Sequence, residues 1–223
     1  MPVNIAIDGP VGAGKSSISD VVAQRLHILH LDTGAMYRAF GLAMLRQGID
    51  PLNEAEVSAH AGDVTVSVRY ENGEQHTYLG GEDVTGQIRT GEVSAAASGA
   101  SKWPAVRRAM VDAQRRLAAT ADMLIDGRDI GTNVLPDAPV KIYLTASPEV
   151  RAKRRYDQNL AAGDTTPYEQ VLEALNLRDQ QDMNRATDPL KQAEDAVLVD
   201  TSDLNFEESV EEILRIVERV YGK

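Results

Sequence analysis

Two sets of residues in this 223-residue chain have types and spacings suited to holding phosphate. The first is Gly9-Pro10-Val11-Gly12-Ala13-Gly14-Lys15-Ser16, which meets the pattern G-x-x-x-x-G-K-[ST] at every fixed position. Glycines let a backbone bend until successive N–H groups face one anion. A Lys at the seventh position reaches the outer phosphates of a nucleoside triphosphate, and the following hydroxyl can ligate Mg²⁺. Gly9, Pro10, Val11, Gly12, Ala13, Gly14, Lys15, Ser16 and Ser17 are therefore the candidate triphosphate cradle, with Ser16 as the candidate metal ligand.

The second set is scattered and rich in Arg and Asp. It comprises Asp32-Thr33-Gly34-Ala35-Met36-Tyr37-Arg38, Gly127-Arg128-Asp129, Arg107, and the helical face Arg178, Asp182, Arg185. Arg forks suit a lone phosphate, and carboxylates suit a base or a sugar. A basic run, Arg151-Ala152-Lys153-Arg154-Arg155, is compatible with a solvated helix face or with a clamp over triphosphate oxygens. A patch this basic in a chain of net charge −11 favours the clamp, which makes Arg151, Arg154 and Arg155 candidate catalytic groups beside Lys15 and Arg128.

The elements that must position these residues alternate. Val3 to Ile7 reads as a buried strand, Lys15 to Leu26 as a helix, Ile28 to Leu31 as a second strand and Ala35 to Leu45 as a second helix. That order makes a βαβ unit with a parallel sheet, whose ligands bind beyond the carboxyl ends of the strands. The period then changes. Val64, Val66, Val68 and Tyr70 alternate with polar residues, Asn72-Gly73 supplies a tight turn, and Gln75 to Leu79 returns, with Gly80-Gly81 closing the hairpin. About 50–89 is read as an antiparallel insert. After it come a helix over Pro104 to Ala119, strands at Met123 to Asp126 and Val140 to Thr145, and a helix opened by Ser147-Pro148-Glu149. A helix from Thr166 or Pro167 to Met183, a short strand at Val197 to Val199, and a last helix capped by Asn205 and Glu208 complete the chain.

Composition narrows the function. With 34 acidic against 23 basic residues, the chain lacks the basic field needed for non-specific binding to nucleic acid or to a membrane surface. It has no cysteine, so thiolate zinc sites, disulfides and cysteine nucleophiles are excluded. No apolar run reaches membrane-spanning length, and a cytoplasmic protein is expected. The four histidines show no metal-ligand spacing. A guanine-reading Asn-Lys-x-Asp loop is absent; Asn176-Leu177-Arg178-Asp179 comes nearest and lacks the Lys. A small phosphotransferase is what remains. Asp32-Thr33-Gly34 is also the signature of a dimeric aspartic protease, a reading that needs a β-rich chain and leaves the glycine loop unexplained.

The motifs as a set resemble bacterial cytidylate kinases. They include Ile5-Ala6-Ile7-Asp8-Gly9-Pro10 through Ser17, Leu31 to Arg38, Asp83-Val84-Thr85 with Ile88-Arg89-Thr90, and Asp126 to Thr132. Lys141 to Ser147, Arg151 to Tyr156, and Arg178-Asp179 followed by Pro189-Leu190 extend the likeness over nearly the whole chain. The resemblance implies an α/β P-loop nucleoside monophosphate kinase fold. Its parts would be a parallel five-stranded CORE sheet (about 1–49, 90–150 and 166–223), a small antiparallel NMP-binding insert (about 50–89) and a short LID (about 151–165). It implies a monomer that moves the γ-phosphoryl of ATP to CMP or dCMP with Mg²⁺, in pyrimidine nucleotide metabolism. Arg38, Arg107, Arg128 and Arg178 would gather around the monophosphate. Arg128 and Asp129 would lie near the cytosine edge, and Thr33, Asp182 and Arg185 on the sugar side. Many members carry Gly where this chain has His27, so the exit of the first helix is expected to differ.

Overall fold

The computed structural model describes residues 2–222. The strands are β1 (Asn4–Asp8), β2 (Leu29–Asp32), β3 (Val66–Glu71), β4 (Glu74–Leu79), β5 (Glu82–Asp83), β6 (Met123–Gly127), β7 (Val140–Thr145) and β8 (Val197–Asp200). The helices are α1 (Lys15–Leu26), α2 (Thr33–Arg46), α3 (Glu54–His60), α4 (Gly91–Ala100), α5 (Pro104–Ala118), α6 (Pro148–Ala161), α7 (Tyr168–Asn184) and α8 (Phe206–Tyr221). A π-helical turn occupies Ile130–Val134. The fold is α/β, with a five-stranded sheet in the order β2-β6-β1-β7-β8 and a three-stranded sheet in the order β3-β4-β5.

The chain divides into two compact units, Pro2 with Ile28–Met123, and Val3–His27 with 124–222. In the second unit β1 pairs parallel with β7, and β7 parallel with β8. The interior strands are apolar along their length because helices cover both faces of a parallel sheet. Ile5, Ile7, Leu124, Ile125, Ile142 and Leu144 are all buried. α8 starts with the capping box read from the sequence, Asn205 with Glu208. It buries Val210, Ile213, Ile216 and Val217, each contributing about 1.5–3 kcal/mol when fully buried.

The first unit holds the antiparallel sheet. Asn72 and Gly73 both take positive φ, 54° and 85°, as a two-residue hairpin between β3 and β4 requires. Gly80-Gly81, expected to close the hairpin, does not end the antiparallel sheet. It makes a second turn, and Glu82–Asp83 pairs back onto Leu79 and Tyr78 as β5. Two helices went unread. α3 is a single polar segment with only Val57 buried. α4, Gly-Glu-Val-Ser-Ala-Ala-Ala-Ser-Gly-Ala, buries only Val93 and small residues, so it carries no large-apolar period.

Candidate active site

In the second unit, the candidate groups converge on the loop between β1 and α1. Gly9 sits where β1 ends with φ 152°, and a Cβ there would lie 1.9 Å from the Leu144 carbonyl oxygen of β7. Only glycine permits the loop to start against the neighbouring strand. Lys15, the first residue of α1, is buried, and its Nζ donates to the Pro10 carbonyl oxygen at 2.8 Å. Its ammonium is thereby laid over the loop's own backbone. Burial, followed by the charge of Arg128, pushes the Lys15 ammonium down to about 7 against the opposing pull of Asp126, Asp8 and Asp182. The carboxylates therefore only partly offset the cost of burying this cation.

The Ser16 hydroxyl donates to Asp126 Oδ2 at 3.0 Å. Asp126 lies one residue before the end of β6, the strand beside β1. A hydroxyl and a carboxylate in contact form an all-oxygen donor pair of the kind Mg²⁺ prefers. No group of three or more His, Cys, Asp or Glu among the described residues could hold a metal. Waters and nucleotide phosphate oxygens would complete the coordination of a bound Mg²⁺.

Four of the six predicted Arg residues of this unit, Arg128, Arg151, Arg178 and Arg185, are matched by a carboxylate. Arg128 Nε donates to Asp182 Oδ2 at 2.9 Å, and Arg178 Nε stands 3.6 Å from Asp182 Oδ1. Arg185 Nη2 donates to Asp129 Oδ1 at 3.0 Å. Burial alone would raise Asp182; the charges of Arg128, Arg178 and Arg185 overcome it and hold the carboxyl below its usual range. Burial pulls Arg178 down, whereas for Arg128 the same burial is outweighed by Asp182, Asp126 and Asp179. Arg151 is buried, pairs with Asp179 at 2.7 Å, and donates to the carbonyl oxygens of Val11 and Ala146 at 2.9 Å each. Asp179 Oδ1 also accepts from the Val11 N–H at 3.4 Å. Arg151 thus braces the phosphate loop from α6. Arg154 donates instead to Thr201, through its hydroxyl and carbonyl oxygens, and to the Leu204 carbonyl. Arg155 is exposed on α6.

Three carboxylates in this unit were not singled out from the sequence as site residues. Asp126 and Asp179 are two, and Asp8 is the third. The Asp8 carboxylate accepts from the N–H groups of Ile130 and Gly131, both at 2.7 Å, and so fixes the start of the π-helical turn that follows Arg128-Asp129. The available signal was local: Asp8 and Asp126 both stand at the carboxyl ends of short apolar strands, where an acid has no packing reason to be.

The first unit carries Thr33, Arg38 and Arg107. Asp32 is the N-cap of α2; its Oδ1 accepts from the Ala35 N–H at 3.0 Å and its Oδ2 from Arg38 Nη2 at 2.7 Å. Thr33, the first residue of α2, is buried. Arg107 is 2% exposed on α5, and its guanidinium lies 5.8 Å from the Tyr37 ring centroid. Asp32 is thus a cap and an Arg partner leading into a helix, and the β-rich frame of an aspartic protease is absent.

Comparison with known proteins agrees with this chemistry. The cytidylate kinase family model matches residues 5–219. The cytidylate kinase of Mycobacterium leprae is 48% identical over 219 residues, covering 98% of this chain and 96% of the relative. That of Caldicellulosiruptor bescii is 44% identical over 218 residues, with 98% and 96% covered. A solved structure of an uncharacterized protein from Eubacterium ventriosum shares the fold with a TM-score of 0.57 at 11% identity, covering 98% of this chain and 99% of that one. A full-length family match, two relatives far above chance identity and a phosphate loop braced by paired Arg and Asp lead to one conclusion: the chain belongs to the cytidylate kinase family.

Proposed function

We propose that this chain transfers the γ-phosphoryl of ATP to CMP or dCMP, giving ADP and the corresponding diphosphate. The observation that carries the reading is Lys15, a buried and under-compensated ammonium at the mouth of a glycine loop, in a chain of this family. The attacking group is a monophosphate oxygen, already ionised at neutral pH, so no general base is needed. It bonds to the γ-phosphorus as the bond to the β,γ-bridging oxygen breaks, and ADP leaves with that electron pair. Catalysis then consists of alignment and of charge neutralisation on the equatorial oxygens.

The loop Gly9–Ser17 holds the triphosphate. Lys15, Arg128, Arg151 and Arg155 neutralise the transferring group. Arg154, whose donors go to Thr201 and Leu204, acts by holding α6 and with it Arg151. Arg38, Arg107, Arg128 and Arg178 take the acceptor phosphate, Asp129 the base side, and Thr33, Asp182 and Arg185 the sugar side. Mg²⁺, held through Ser16 with Asp126 behind it, would supply charge neutralisation between the outer phosphates. No helix of the described residues is long and apolar enough to cross a membrane, which suits a cytoplasmic setting.

A coupled assay for ADP release should show ATP turnover stimulated by CMP and by dCMP. Lys15→Ala should lower that turnover at least ~100-fold, the scale of one lost transition-state electrostatic contact, with an unchanged circular dichroism spectrum. ATP turnover indifferent to pyrimidine monophosphates would refute the reading.

A further inference from the structure

β2 hands directly into α2 at Asp32. His30 and Asp32 are two residues apart, so in an extended strand their backbone polar groups face the same edge. Two side chains of the antiparallel insert are spent on that edge. The Tyr70 hydroxyl donates to the His30 carbonyl oxygen at 3.0 Å. The Gln75 amide spans both polar groups of Asp32: Oε1 accepts from the Asp32 N–H at 2.8 Å, and Nε2 donates to the Asp32 carbonyl oxygen at 3.3 Å. Nε2 also donates to Thr77 Oγ1 at 3.2 Å, and the Asp32 N–H, which can only donate, sets the orientation of the amide by requiring Oε1. Tyr70 and Gln75 are direct cross-strand partners in β3 and β4. Residues opposite one another in an antiparallel pair project from the same face, so the hairpin offers β2 two adjacent side-chain rungs.

From Asp32 the contacts continue inward along α2. Its carboxylate caps the helix through Ala35 and holds Arg38 Nη2. Gly34 leaves the room for this pair, since a Cβ there would lie 2.9 Å from Asp32 Oδ1 and 3.0 Å from Arg38 Nη1. Gln75, Asp32 and Arg38 are therefore linked by hydrogen bonds alone. A further polar tie between α2 and the insert, Arg46 with Glu82 at 2.7 Å and with Gln87 at 2.8 Å, is solvent-exposed and so weak.

We infer that Gln75, supported by Tyr70, is a positioning residue for the acceptor nucleotide: it fixes the backbone of Asp32, whose carboxylate in turn aims the Arg38 guanidinium at the monophosphate. This role rests on the reading of Arg38 as an acceptor-phosphate ligand. It gives the insert a part in acceptor recognition through a residue that touches no substrate. A Gln75 that merely staples the hairpin would affect stability without distinguishing the two substrates.

The test uses the full chain and four variants. Gln75→Met keeps the side-chain length and removes all three hydrogen bonds. It should raise KM for CMP about tenfold or more and leave KM for ATP within about twofold, because misplacing one phosphate ligand acts on one substrate. In an Arg38→Ala background the same change should add less than about twofold, since the group it positions is gone. Gln75→Glu, which still accepts from the Asp32 N–H but cannot donate to the carbonyl, should fall between wild type and Gln75→Met. Tyr70→Phe should show a smaller loss of the same kind. Amide exchange at Asp32 should quicken in Gln75→Met, a readout independent of turnover. Equal rises in both KM values, full additivity with Arg38→Ala, an unchanged KM for CMP or unchanged exchange at Asp32 would each overturn the role. Calorimetry showing that the wild-type chain does not bind CMP would overturn the functional reading itself.

Discussion

Five Arg residues of the proposed site are held by carboxylates: Arg38 by Asp32, Arg128 and Arg178 both by Asp182, Arg185 by Asp129, Arg151 by Asp179. A buried guanidinium without a counter-charge is costly, and the partner also sets the direction of the fork. An incoming phosphate therefore competes for donors already aimed. Asp8 differs, because its bonds go to two backbone N–H groups and its charge is only partly answered. Burial, set against the N–H groups of Gly131 and Ile130, pushes its carboxyl up to about 6; Asp129 adds to the rise and Lys15 opposes it. The folded chain thus holds that proton more tightly than the unfolded chain, whose value is the ordinary 3.8. The stability linked to the proton is fully present below about pH 4 and is lost as pH rises through about 6, a change of about 3 kcal/mol. Asp8→Asn cannot titrate. Urea unfolding should show the advantage of wild type over Asp8→Asn shrinking by about 2–3 kcal/mol between pH 4 and pH 7.5. A difference independent of pH would mean that the carboxyl is not held high.

Elements whose ends are written in local chemistry were legible from the sequence. Ser147 accepts from the Val150 N–H with Pro148 at the first position of α6, and Asn205 and Glu208 cap α8 reciprocally. α4 was not legible. Its signal is smallness, which becomes meaningful only where Ala97 crosses Gly41 of α2, close enough that a Cβ on Gly41 would sit 2.6 Å from the Ala97 nitrogen. The π-helical turn depends likewise on a partner distant in sequence, Asp8, whereas β5 pairs with the strand just before it and at two residues is too short to show a period. His27 was flagged by the sequence as an unusual helix exit, and it takes the left-handed conformation, φ 56° and ψ 38°, as the cap of α1. Its side chain is exposed. Left-handed backbone costs a residue with a Cβ about 1–2 kcal/mol, and glycine gives back roughly half in the entropy of the unfolded chain. His27→Gly should therefore stabilise the fold by about 0.5–1 kcal/mol, raising the thermal midpoint by about 1–4 °C in a chain of this size. A lower midpoint would show that the His27 side chain does more than tolerate its conformation.

On the scale of the molecule, the net charge of −11 conceals how its cations are distributed. The glycine loop with Lys15 lies in one compact unit, and Thr33, Arg38 and Arg107 lie in the other. The cations of both were legible because Arg and Lys in motif positions announce themselves. Their carboxylate partners were less so: Asp179 meets Val11, and Asp8 meets Ile130 and Gly131, only after more than a hundred residues of chain have folded between them. Lys15 and Arg38 are assigned to different nucleotides, which makes the two substrates separable by their effect on stability. A ligand at a hundred times its Kd stabilises the folded state by about 2.7 kcal/mol, or roughly 5–10 °C in midpoint for a chain of this length. ATP should give such a shift in wild type and in Arg38→Ala but lose most of it in Lys15→Ala. CMP should give its shift in wild type and in Lys15→Ala but lose most of it in Arg38→Ala. Each truncation removes a cation assigned to only one of the two nucleotides, so a variant that lost both shifts together would show that Lys15 and Arg38 do not serve separate nucleotides.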